Sequence, residues 1–220
     1  MRVSRPALVA LIVGMLATGG LSWVSYVLDD HNETHLLNLE TREAAAILQV
    51  VVPVIETPLS SAAQIAATNG GQAQPFGRYI SSYVGSKGPF VSASLWEISG
   101  GSARMVTVAG SAPVLARTPE SVAMFLGEAA RKPTLQVTGP IEDTPTAARL
   151  GFAFAAPDTE VTYVVYAESA LPGNRRAPVD NSSPLADLRF ALYLGTDRRD
   201  DHLLETNAGH LPISGRRSVV

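Results

Sequence analysis

An uncharged stretch near the start limits what this chain can become. From Pro6 to Leu28 no Asp, Glu, Lys or Arg occurs, and about 20 apolar residues suffice to cross a ~30 Å hydrocarbon core as a helix. Gly14, Gly19 and Gly20 are tolerated in such a helix, because the backbone stays satisfied by its own hydrogen bonds. Arg2 and Arg5 precede the stretch, while Asp29, Asp30 and Glu33 follow it. The positive-inside rule then puts the N-terminus in the cytoplasm and everything after Leu28 outside. Trp23 and Tyr26 sit near the outer end, where amphipathic rings favour the interface. The rival reading is a cleaved signal peptide, with Ala17-Thr18-Gly19 as a loose small-x-small site. The apolar run continues past that site through Leu21, Trp23, Val24, Tyr26 and Val27, which favours an uncleaved anchor. The expected organisation is a cytoplasmic tail over 1–5, a transmembrane anchor over 6–28, a long extracytoplasmic helix over 29–69 and a sheet domain over 70–220.

The 220 residues leave room for one domain beside the anchor. Hydrophobic residues make up 46%, enough to bury a core. A net charge of −3 lacks the basic excess of a nucleic-acid binder, so no nucleic-acid partner is expected. With no cysteine, disulfides, thiolate metal sites and Cys nucleophiles are excluded.

Beyond Asp30 the pattern is helical, with Leu36, Leu39, Ala46, Ile47, Val50, Val51, Val54 and Ile55 recurring at spacings of three and four. Pro53 and Pro58 predict a kink or a break, and Asn69-Gly70-Gly71 an end. A short helix is expected over 76–83. Phe90 to Ile98 alternates as a strand does, Ser99-Gly100-Gly101-Ser102 turns, and Arg104 to Ala109 returns as the second arm of a hairpin. Thr118-Pro119 opens a helix, with Thr118 as N-cap and Pro at the first position. Its apolar face is Val122, Phe125, Leu126 and Ala129, and it stops before Pro133. Strands follow at 134–138, 150–155, 161–167 and 188–194, with one more strand or hairpin in the tail after Leu203. The segment Leu150-Gly151-Phe152-Ala153-Phe154-Ala155 alternates large with small, so one face receives bulk and the other permits close approach. Val161 to Ala167 is apolar on both faces, as a central strand would be. The fold class is α+β: an antiparallel sheet of about five strands with helices to one side and the long helix packed across it.

No catalytic motif stands out. His31 and His35 are four apart, but the glutamate between them is misplaced for a zinc-protease helix, so no metal is expected there. Neither a Gly-x-Ser-x-Gly elbow nor a Ser-x-x-Lys pair occurs. The alternating charges of Asp197-Arg198-Arg199-Asp200-Asp201 lack the spacing of a calcium loop and describe a solvated turn. No cofactor is implied. Aromatic residues recur on the expected strands, and a ligand pocket on a sheet face needs such rings with a few polar groups among them. Trp96, Phe152, Tyr163, Arg189 and Tyr193 are the candidate ligand-binding residues, with Arg149 and Glu97 as further polar neighbours. For each ring taken singly, core packing is the simpler explanation.

The arrangement resembles the CHASE-type, PAS-like extracytoplasmic sensor domains of bacterial transmembrane receptors. The likeness runs over about residues 1 to 217. It is carried by the N-terminal anchor, the helix through Glu40-Thr41-Arg42-Glu43-Ala44-Ala45, the strand from Phe90 to Ile98, and Arg189-Phe190-Ala191-Leu192-Tyr193-Leu194-Gly195 with Leu203-Leu204 after it. The resemblance implies a membrane signal-transduction receptor that senses an unidentified small molecule or peptide and forms a homodimer. Its output would be a histidine kinase, a nucleotide cyclase or a serine phosphatase behind a second membrane helix. Neither is present in these 220 residues, so a fragment is expected. The alternatives are a single-pass envelope binding or scaffold protein without catalysis and, ranked last, an anchored hydrolase.

Overall fold

The computed structural model of the protein describes residues 52–144, 147–156, 161–177, 189–195, 198–211 and 213, all within one structural unit, 47–213. The expected anchor over 6–28, the helix over 29–51, the His31/His35 pair and Asp197 lie outside the described residues. Among the described residues no helix is long and apolar enough to cross a membrane.

The first described helix, α1, covers 52–68. It does not break at Pro53 or Pro58. Pro58 removes one intrahelical hydrogen bond, but the turns after it bury Leu59, Ala62, Ala63 and Ala66 completely, and that burial holds the helix together. The helix ends as Asn69-Gly70-Gly71 predicts. Gly70 and Gly71 take φ of +60° and +71°, and the Gly71 N–H donates to the Ala66 carbonyl at 2.8 Å. A second helix, α2 (Ala73–Ile80), runs into a 3-10 turn at Ser81–Tyr83 and buries Phe76 and Ile80.

Five strands form one antiparallel sheet: β1 (Ser92–Ser99), β2 (Ser102–Gly110), β3 (Gln136–Thr144), β4 (Ala147–Ala155) and β5 (Thr162–Leu171). Their order is β2-β1-β5-β4-β3, so a hairpin and a three-strand meander meet where β1 lies beside β5. β3 is longer than its sequence predicts. It tolerates Pro140 because it is an edge strand with irregular register there. Between β2 and β3 comes α3 (Pro119–Ala129), with Pro119 at its first position. The Thr118 side chain makes no capping bond, unlike the expectation. The expected strand at 188–194 is β6 (Ala191–Tyr193). It pairs with β7 (Leu203–Thr206) in a separate two-stranded sheet.

The sheet is covered on both faces, which corrects the expectation of helices to one side. On one face α1 and α2 pack with Ala93, Leu95, Leu150, Phe152, Val165 and Ala167. On the other, Val122, Leu126 and Ala129 of α3 pack with Trp96, Ala153, Ala155, Val164 and Tyr166. β5 feeds both cores from alternate residues, as a central strand must. Gly151, Ala153 and Ala155 of β4 face α3. A Cβ at Gly151 would stand 2.3 Å from the Tyr166 hydroxyl, so that ring needs the missing side chain.

Candidate functional site

The alternation that fills the two cores also places a carboxylate. Counting down β5 from Val164 and Tyr166, the next residue on the α3 face is Glu168, which is fully buried. An isolated buried carboxylate costs several kcal/mol of desolvation, so it persists only when its oxygens are satisfied. Here they are. Oε1 accepts from the Tyr166 hydroxyl at 3.0 Å and from the Leu115 backbone N–H at 3.1 Å. Oε2 accepts from Arg149 Nη1 at 2.9 Å.

Arg149 comes from β4, on the α3 face. Its Nη1 also reaches Ser111 Oγ at 3.0 Å and the Ala112 carbonyl at 3.2 Å. Its Nε and Nη2 both donate to Asp143 Oδ2 on β3, at 3.0 and 2.8 Å. Asp143 in turn accepts from Arg117 Nη2 at 2.8 Å through its other oxygen, and its backbone carbonyl accepts from Arg117 Nη1 at 3.0 Å. Charge alternates along this chain from the buried Glu168 through Arg149 and Asp143 to Arg117, which is 60% exposed. The chain closes on itself, because Arg117 and Leu115 sit in one 3-10 turn, Leu115–Arg117.

The electrostatics follow from these partners. The hydrogen bond from Arg149, with Arg117 on the other side, holds the Asp143 carboxyl below the usual carboxylate range. Burial first, then the adjacent Glu168 charge, pushes the Tyr166 hydroxyl far above its ordinary range. It therefore remains a donor at any working pH. One group in this layer lacks a partner among the described residues: the Ser92 hydroxyl, which is fully buried. Ser92 lies directly across from Glu168 in the sheet. The neighbouring polar groups are paired. Trp96 Nε1 donates to Ser94 Oγ at 2.8 Å, and Ser94 Oγ to the Tyr166 carbonyl at 3.3 Å.

The five residues singled out from the sequence do not line one surface. Trp96 belongs to the α3 face. Phe152 and Tyr163 belong to the α1 face, where Phe152 packs 6.3 Å from the Phe90 ring and Tyr163 covers Gly71. Arg189 is exposed, and Tyr193 is in β6, outside the five-stranded sheet. Glu97 pairs with Arg104 across the β1–β2 hairpin. Of the polar neighbours only Arg149 enters the buried cluster. Glu168 is the residue that sequence reasoning missed, although a signal existed. A lone carboxylate in an apolar strand, one hairpin away from an Arg on the preceding strand, places opposite charges on one face.

The cluster ties together three strands and the segment 111–117, and every charge in it has a protein partner. Among the described residues no group of three or more His, Asp or Glu side chains stands ready to hold a metal. Comparison with known proteins adds no further identification: no protein-family model, curated protein or solved structure matches the chain.

Proposed function

We propose that this chain is the extracytoplasmic, ligand-sensing part of a membrane signal-transduction receptor, a CHASE-type domain with a PAS-like sheet. The observation that carries the reading is the topology. A hairpin and a three-strand meander, separated by α3, close into the order β2-β1-β5-β4-β3 with the first and last strands side by side. A five-stranded antiparallel sheet with α1 and α2 packed on one face supports a PAS-like reading. The uncharged stretch from Pro6 to Leu28, with arginines before it and carboxylates after it, supports an outward-facing domain.

In this reading a small-molecule or peptide ligand favours one packing of sheet against helices, and the shift in population travels along α1 toward the bilayer. The partners are the lipid bilayer and a second copy of the chain. The catalytic output, whether histidine kinase, nucleotide cyclase or serine phosphatase, lies outside these residues.

The test is a pair of reporter fusions at residue 213 in bacterial cells: an enzyme active only outside the cytoplasm and a fluorophore that matures only inside it. The reading predicts activity from the first, darkness from the second, and both fusions in the membrane fraction. A bright cytoplasmic fluorophore overturns it.

A further inference from the structure

The segment 111–117 crosses from β2 toward α3 above the charged cluster, and its fastening is unusual. Its buried residues are Pro113, Val114 and Leu115, the Ser111 N–H and Oγ both donate to the Val91 carbonyl at 3.1 and 3.0 Å, and its remaining polar ties converge on one ring. The Leu115 N–H binds Glu168, Ser111 Oγ and the Ala112 carbonyl bind Arg149, and Arg117 binds Asp143. The closed arrangement keeps the Glu168 carboxylate wholly out of water, and across the sheet from it the buried Ser92 hydroxyl has no hydrogen-bond partner among the described residues. Both conditions are unfavourable, and both are relieved when water reaches the layer. Lifting the segment breaks no pairing inside the five-stranded sheet, because it belongs to no named strand; it gives up the Ser111–Val91 bonds that extend the β1–β2 ladder. Opening therefore trades three buried side chains, the Ser111–Val91 bonds and one ring of polar bonds against the rehydration of Glu168 and Ser92.

We propose that 111–117 is a latch: it opens as a local unit while the sheet stays folded, and the Glu168–Arg149–Asp143–Arg117 ring sets how often it does so. Opening bares the Glu168 carboxylate, which the Leu115 N–H and Arg149 hold in the closed form. The inference does not depend on the sensor reading, since the motion is measurable without ligand.

Amide hydrogen exchange on the full chain tests it. The reporters are the N–H groups of Leu115, Arg117 and Thr118, bonded to Glu168, Val114 and Leu115 respectively. The controls are core amides of α1 and β5, such as Ala66 and Val165. A latch predicts that the reporters exchange at least ~10-fold faster than the controls, relative to their unprotected rates. Arg117→Ala touches only the exposed end of the ring, so it speeds the reporters about two- to fivefold and leaves the controls unchanged. Arg149→Met speeds them at least about a hundredfold. If that variant does not fold, Arg117→Ala decides alone. Reporters that exchange no faster than the core, or that accelerate only in step with it, overturn the latch.

Discussion

At Gly71 two demands coincide on one residue. Its φ of +71° lies in the left-handed region, and a Cβ built there would stand 2.1 Å from Tyr163 Cε1. Gly70 has the same backbone demand, with φ of +60°, but nothing within 4 Å of its Cβ position. Gly70→Ala should therefore cost about 1 kcal/mol and Gly71→Ala about 2–4 kcal/mol, the excess coming from the displaced ring. Urea denaturation of the two variants checks this, and equal costs would mean that Tyr163 does not rest on the helix end. Asp143 makes a different prediction, because its carboxyl is held below the ordinary 3.8 by Arg149 and Arg117. The unfolded chain takes up that proton first as pH falls. The stabilisation is thus complete above the unfolded pKa of about 3.9 and is lost as pH falls through the lower, folded value. Wild type should exceed Asp143→Asn in stability at pH 6, with the gap shrinking toward pH 3. A gap that does not change with pH would show that the carboxylate's charge plays no part.

At the scale of elements, the order of the chain was legible because period and punctuation carry it. The alternation from Leu150 to Ala155 separates bulky and small faces, and the structure lays Phe152 against the α1 core and Gly151 beneath the Tyr166 hydroxyl. The Gly70-Gly71 stop, the hairpin around Gly100-Gly101 and Pro119 at the start of α3 are local backbone chemistry, and local chemistry is what a sequence states directly. What it left out depends on contacts between distant segments. Pro58 reads as a breaker until the burial of Leu59, Ala62 and Ala66 is known. Trp96 and Phe152 read as one aromatic set until strand register assigns them to opposite faces. Whether β6 joins the main sheet or pairs with β7 is decided by tertiary packing that no local pattern encodes. The charged cluster was hidden for the same reason. Glu168, Arg149, Asp143 and Arg117 come from four elements, and only the pairing of β3, β4 and β5 brings them into line.

On the scale of the whole molecule, the two faces of the sheet have different characters. The α1 face is a continuous apolar core. The α3 face pairs its apolar core with a buried polar layer roofed by 111–117. The sensor proposal places the output of the receptor beyond these residues, so the most direct measurement is to read the coding frame downstream of the Val220 codon. The account predicts a second uncharged apolar run of about 20 residues, followed by a kinase, cyclase or phosphatase domain. A stop codon immediately after Val220 would contradict it.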